Sequence, residues 1–193
     1  MKFLSCDASW FNSIPQMKKL SLQELNRLSV DEFRSIKKHD VCVVLDSIRS
    51  ASNVGSVFRT CDAFLVEKLY LCGYTAKPPH KEIQKTAIGA TESMAWTYFE
   101  EVTDCIQLLQ QKGYVILAIE QAEGAKQLGE FEWESTKKYA LVFGNEVSGV
   151  SDAVMEMIDD CLEVPQWGTK HSLNISVCTG VVLWDLVRSI TTK

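Results

Sequence analysis

From Val41 onward, short runs rich in β-branched and aromatic residues alternate with stretches of helical periodicity, and this rhythm constrains the fold more than any other feature. VCVVLD, KLYLCG, AWTYFE, YVILAIE, YALVFG and CLEVP read as strands. Helical segments fall near Val54–Ala63, in KEIQKTAIG, around Asp104–Lys112 and at Ser151–Ile158, and a long helix runs from about Asn174 to Arg188. That order predicts an α/β fold over residues 41–193, a mostly parallel sheet with flanking helices. A chain of 193 residues, 46% hydrophobic and 23% charged, has material for one such domain plus a short appendage. The composition excludes disordered and collagen-like classes. No apolar run approaches the ~20 residues of a membrane span, and MKFLSCDASWF lacks a secretory apolar stretch, so a cytoplasmic location is expected.

The appendage is residues 1–40, a tail followed by a short helical extension. Its first sixteen residues show no periodicity, and Met17 ahead of Lys18-Lys19 offers a second translation start besides Met1. Two capping-box patterns follow, Ser21 with Glu24 and Ser29 with Glu32, and predict two short helices. The net charge is −5, but residues 1–40 carry seven Lys/Arg against five Asp/Glu, while much of the acid lies between Glu120 and Glu134. The total therefore does not exclude a nucleic-acid partner. Seven widely spaced cysteines, most of them inside apolar runs, read as reduced core thiols. With no CxxC pair and three scattered histidines, no metal site is expected.

The final helix, NISVCTGVVLWDLVR, is apolar around nearly its whole circumference. Burial on several sides is expected, either inside the core or shared with a subunit interface.

In an open parallel sheet, ligands bind beyond the carboxyl ends of the strands, which here means the loops after VVLD, LVFG and LEVP. None carries the GxGxxG of a dinucleotide site. GNEVSGVS has P-loop glycine spacing but Val150 in place of the phosphate-binding lysine. What remains are three motifs: Asn53-x-Gly55-x-x-x-Arg59; Gly144-x-Glu146-x-x-Gly149; and Pro165-x-x-Gly168-x-x-x-Ser172-Leu173-Asn174.

Their order and spacing resemble the three signature motifs of the SpoU/TrmH family of RNA ribose 2′-O-methyltransferases, in the SPOUT superfamily. The resemblance covers about residues 41–190. It implies a SPOUT-type fold whose C-terminal part forms a deep trefoil knot, an exception to the rule against threaded chains. It also implies a homodimer with the active site at the subunit interface and S-adenosylmethionine as cofactor. By motif position the cofactor-binding residues are Gly144, Val164, Gly168 and Leu173, and the catalytic set is Asn53, Arg59, Glu146, Ser172 and Asn174.

The residue types suit methyl transfer to a ribose hydroxyl, which needs alignment and the management of one proton. Arg59 is suited to an RNA phosphate or to developing charge on the 2′-oxygen; a guanidinium with a pKa above ~12 is a poor general base, so an adjacent phosphate is the other candidate proton acceptor. Asn53, Ser172 and Asn174 are suited to orienting the hydroxyl and the loops, with Glu146 ordering them. Taken singly, the same residues have structural explanations: Arg59 paired with Asp62 on one helix face, Glu146 solvated, Ser172 and Asn174 capping the last helix. Lys77, Lys81 and Lys85, with Arg49 and Lys170 on the motif loops, are expected to contact RNA phosphate.

Some tRNA-modifying relatives hold RNA with a C-terminal extension. Here the sequence stops near the end of the last helix, which shifts such contacts to residues 18–38. There is also no room for a separate ribosomal-protein-like domain, so tRNA is favoured over rRNA. The alternative function is a catalytically silent RNA-binding dimer of the same fold.

Overall fold

Runs such as Val41–Leu45 place apolar side chains on both faces of a strand, which suits a sheet covered by helices on each side. The computed structural model, which describes residues 17–21 and 23–191, has this arrangement. In chain order the elements are α1 (Val30–Ser35), β1 (His39–Asp46), α2 (Ala51–Ala63), β2 (Val66–Cys72), α3 (Lys81–Ala87), α4 (Ala90–Ser93) and β3 (Trp96–Phe99). There follow α5 (Val102–Gln111), β4 (Tyr114–Ile119), β5 (Lys126–Gln127), β6 (Lys138–Phe143), α6 (Asp152–Met155), β7 (Asp160–Glu163) and α7 (Ile175–Thr191). The strands form one sheet in the order β3-β2-β1-β6-β4-β7-β5, and every pairing is parallel. Val43 sits opposite Leu69 on one side and Leu141 on the other, which fixes the register at the centre.

The pleat sorts the strand residues into two cores. Val43, Leu45, Leu117 and Leu141 join α2 and α7 on one face, around the fully buried Phe58 and Leu183. Each of those two side chains contributes roughly 1.5–3 kcal/mol by leaving water. Cys42, Val44, Ile116 and Val142 join α5 and Val154 of α6 on the other face. Behind the first core, Trp133 and Tyr139 pack edge to face with ring centroids 5.1 Å apart, and the Trp133 Nε1–H donates to Asp185 of α7 at 2.8 Å. Gly55 allows α2 and α3 to meet closely: a Cβ there would overlap the Ile83 carbonyl and the Thr86 hydroxyl.

Several elements differ from the sequence reading. Of the two expected N-terminal helices, α1 is the one present among the described residues, anchored by the buried Phe33 and closed by the complete Ser29–Glu32 capping box. At the first pattern the reciprocal bonds exist, Ser21 N–H to Glu24 at 2.7 Å and Glu24 N–H to Ser21 Oγ at 3.4 Å. Asn26, at φ +44°, then ends the turn before a helix can propagate. The helix expected over Ser151–Ile158 shrinks to α6, because Asp159 N–H bonds the Ile116 carbonyl at 2.9 Å and draws the chain toward β7. The two-residue strand β5, inside the acidic stretch, has no periodicity to announce it.

α7 also differs. It buries Ile175, Thr179, Val182, Leu183 and Leu186 on one face, while Val177, Val181 and Trp184 stay exposed, Trp184 at 60%. Burial on several sides is thus not achieved within one chain. The described cysteines are all free thiols, five of them buried; Cys6, the first sixteen residues and the choice of Met1 as a start lie outside the described residues. Among the described residues no helix is long and apolar enough to cross a membrane.

Candidate active site at the carboxyl ends of the strands

The loop leaving β1 turns at once: Ser47 takes φ +57°, and Ile48 N–H donates to the buried Thr75 hydroxyl at 2.9 Å, which itself bonds the Leu45 carbonyl at 3.2 Å. Ser50 then caps α2, accepting from Asn53 N–H at 3.3 Å. The loop leaving β6 is closed on itself, since Asn145 and Gly149 exchange both backbone hydrogen bonds at 2.9 Å. The Asn145 side chain accepts from Val147 N–H at 2.8 Å and Ser148 N–H at 3.1 Å, and donates to the Ser47 carbonyl at 2.7 Å. One buried amide therefore shapes the second motif and clamps it to the first. Gly144 has no room for a side chain, because a Cβ would overlap the backbone at Gly149–Val150.

A chain of hydrogen bonds joins all three motifs. Glu146 accepts from the Arg49 N–H at 2.9 Å, the Ser50 N–H at 3.2 Å and the Asn53 amide at 3.0 Å. Asn53 Oδ1 accepts in turn from Asn174 Nδ2 at 3.1 Å. Asn174 Oδ1 receives the Ser176 N–H at 3.0 Å and the Ser176 hydroxyl at 2.7 Å, so it also caps α7. Partial burial pushes the Glu146 carboxyl up, but the donors from Arg49, Asn53 and Ser50 together outweigh it and hold the group below its ordinary value. Capping and site formation are here the work of the same side chains.

Beside this chain of bonds lies a cavity of about 460 Å³, formed by the loops after β6 and β7 with the end of β4; the first motif's Asn53 and Arg59 do not line it. Gly144, Glu146, Val164, Ser172, Leu173 and Asn174 line it, as expected from the motifs, together with Ile119 and Phe143 from strand ends. Glu120, Gln121 and Cys178 also line it and were not singled out by sequence reasoning. Their available signals were position alone: Glu120 directly follows a strand, and Cys178 lies one turn into the last helix. Cys178 is a poor nucleophile, because burial and the nearby Glu120 charge push its thiol up to about 11.

Other expected residues lie elsewhere. Gly168 does not line the cavity and faces open space. Arg59 stands exposed on α2 in a separate groove with Arg27, Leu28 and Ile88, about 9 Å along the helix axis from Asn53. Its pairing with Asp62 does not form; Asp62 accepts the Ser93 hydroxyl instead, and Arg59 makes no ion pair with any described residue. Arg49 meets Glu146 through its backbone only and keeps an exposed side chain. Lys81 and Lys85 are exposed on α3 and Lys170 on the third loop, while Lys77 lies 3.6 Å from the centroid of the Tyr98 ring.

The cavity suits a ligand of cofactor size that is itself part apolar and part polar, since Ile119, Phe143, Val164 and Leu173 share its wall with Glu120, Gln121, Ser172 and Asn174. The sequence matches the profile of the SpoU rRNA Methylase family over residues 40–184, most of its length and all three motifs. The chain belongs to the SpoU rRNA methylase family. It is thereby an RNA methyltransferase by class. A relative from Aquifex aeolicus, named tRNA (guanosine(18)-2′-O)-methyltransferase, is 33% identical over 79% of this chain and 71% of its own length. Among solved structures, the A. aeolicus TrmH/SpoU tRNA modifying enzyme superposes with a TM-score of 0.73 at 27% identity, covering 83% of this chain and 80% of that one. An AdoMet-bound rRNA methyltransferase from Sinorhizobium meliloti gives a TM-score of 0.72 at 25% identity over 81% of this chain, which spans 59% of that longer protein. This SpoU-family chain thus shares its fold with enzymes named for tRNA and for rRNA.

Proposed function

We propose that this protein transfers a methyl group from S-adenosylmethionine to a ribose 2′-hydroxyl of structured RNA, with tRNA favoured over rRNA. The observation that carries the reading is the hydrogen-bond chain Glu146–Asn53–Asn174, which ties the three motif loops together at the edge of the cavity. The size and the mixed apolar and polar lining suit the adenosine and amino-acid parts of the cofactor, which the cavity residues Gly144, Val164 and Leu173 would hold. When bound, the cofactor supplies a methyl already activated on a sulfonium.

The work left to the protein is alignment and proton management. Ser172 and Asn174, on the cavity wall, orient the attacking hydroxyl, and Asn53 and Glu146 keep that loop in place. Arg59 stays protonated and takes a phosphate of the RNA, stabilising charge that develops on the 2′-oxygen. Its place in a groove separate from the cavity of its own chain favours a site completed across a subunit interface, in a homodimer packed through the exposed apolar face of α7. Arg49, Lys77, Lys81, Lys85 and Lys170 supply further phosphate contacts. The C-terminal trefoil knot is part of this proposal, concerning the threading of the loops that form the cavity.

Labelled methyl from S-adenosylmethionine, offered to tRNA and rRNA fractions lacking this modification, tests the reading. Label is expected in the tRNA fraction, with Arg59→Ala slower by roughly 100-fold or more. Label confined to rRNA would reassign the substrate. Cofactor binding without transfer to either fraction would favour the silent RNA-binding dimer.

A further inference from the structure

Among the described residues, the formal charges of the acidic and basic side chains on the cavity wall all have one sign. Among the described residues no lysine or arginine lines it; Glu120 and Glu146 do, together with His171 and the Cys178 thiol. The two acids are placed differently. Glu146 is exposed and committed to Arg49, Ser50 and Asn53, whereas Glu120 is half-buried at the end of β4. Glu120 Oε1 accepts from Gln121 N–H at 2.8 Å and Oε2 from Val150 N–H at 3.0 Å. The two bonds fix the group's position, so its charge is pre-oriented rather than carried on a free side chain. A Cβ on Gly149 would overlap this carboxylate, which shows how closely the second motif is built around it.

We propose that Glu120 is a specificity-determining residue that makes the cavity select the cationic cofactor over its neutral product. The inference rests on the cofactor reading above. S-adenosylmethionine carries a sulfonium; after methyl transfer the sulfur is a neutral thioether, and the product, S-adenosylhomocysteine, has one positive charge fewer. Both molecules keep the amino-acid ammonium and carboxylate, so a wall whose formal charges are negative draws the first more strongly by the one charge that differs, while shape and apolar contacts serve both alike. Loss of that attraction at the moment of reaction weakens the hold on product and favours exchange for fresh cofactor.

The test is direct binding of both ligands to the full chain by calorimetry. Wild type is expected to prefer S-adenosylmethionine, and Glu120→Gln to lower the affinity ratio roughly fivefold, the scale of one unit charge across a partly solvated site. A merely structural role for Glu120 would weaken both ligands equally and leave the ratio unchanged, which overturns the proposal. Two measurements on wild type guard against a poorly folded variant. The preference should shrink as ionic strength rises, and an analogue bearing an amine in place of the methyl sulfonium should bind like the cofactor. Salt independence, or an analogue that binds like the neutral product, would also overturn it. If neither adenosyl ligand binds wild type at all, the cofactor reading itself fails.

Discussion

Glu146 shows how one side chain connects sequence, stability and chemistry. Its carboxylate is held below its ordinary value, so by linkage its contribution to stability is fully present above the unfolded pKa near 4.5 and is lost as pH falls through the lower folded value. Glu146→Gln is therefore expected to cost about 1 kcal/mol at neutral pH, a modest figure because the group is exposed. The gap between variant and wild type should close as pH drops below 4.5, measured by urea unfolding across that range. A gap independent of pH would mean that the bonds to Arg49, Ser50 and Asn53 do not depend on the charge. At this scale the sequence was partly legible. Asn53, Glu146 and Asn174 stood out through motif spacing, while Asn145 and Glu120 did not. An amide between a glycine and an acid, or an acid opening an acidic stretch, looks like ordinary loop chemistry until the fold brings Ser47 or Val150 beside it.

At the scale of elements, the close approach of α2 to α3 explains the glycine of the first motif. Gly55→Ala would gain some helix propensity but force Cβ against the Ile83 carbonyl, which cannot yield without moving α3. A net loss of ~1–3 kcal/mol in chemical denaturation is expected. Retention of wild-type stability would show that the two helices can separate freely. The strand-helix alternation was readable because a buried parallel strand is a short apolar run and its crossover helix is amphipathic. The failures occurred where tertiary contacts overrule local pattern: Asn26 ends a nascent helix, Asp159 pulls α6 short, and β5 exists only because β7 offers it an edge. The apolar circumference of the last helix was visible in sequence, but which residues face outward depends on how α7 settles on α2.

For the whole molecule, the exposed row Val177, Val181 and Trp184 is the feature a single chain leaves unresolved. With the homodimer proposed above, wild type should sediment as a dimer and Trp184→Lys as a monomer of nearly unchanged stability, since the ring is 60% exposed within one chain. A variant that remains dimeric would place the interface elsewhere. A last consequence concerns time rather than space. The bond from Asn174 to Asn53 spans 121 positions of sequence, and the one from Asn53 to Glu146 spans 93. During synthesis from the N-terminus, Asn53 is made early and waits for both partners. A nascent chain that has already formed β1 and α2 does not yet have the cavity, which is complete only once the segment opening α7 has left the ribosome.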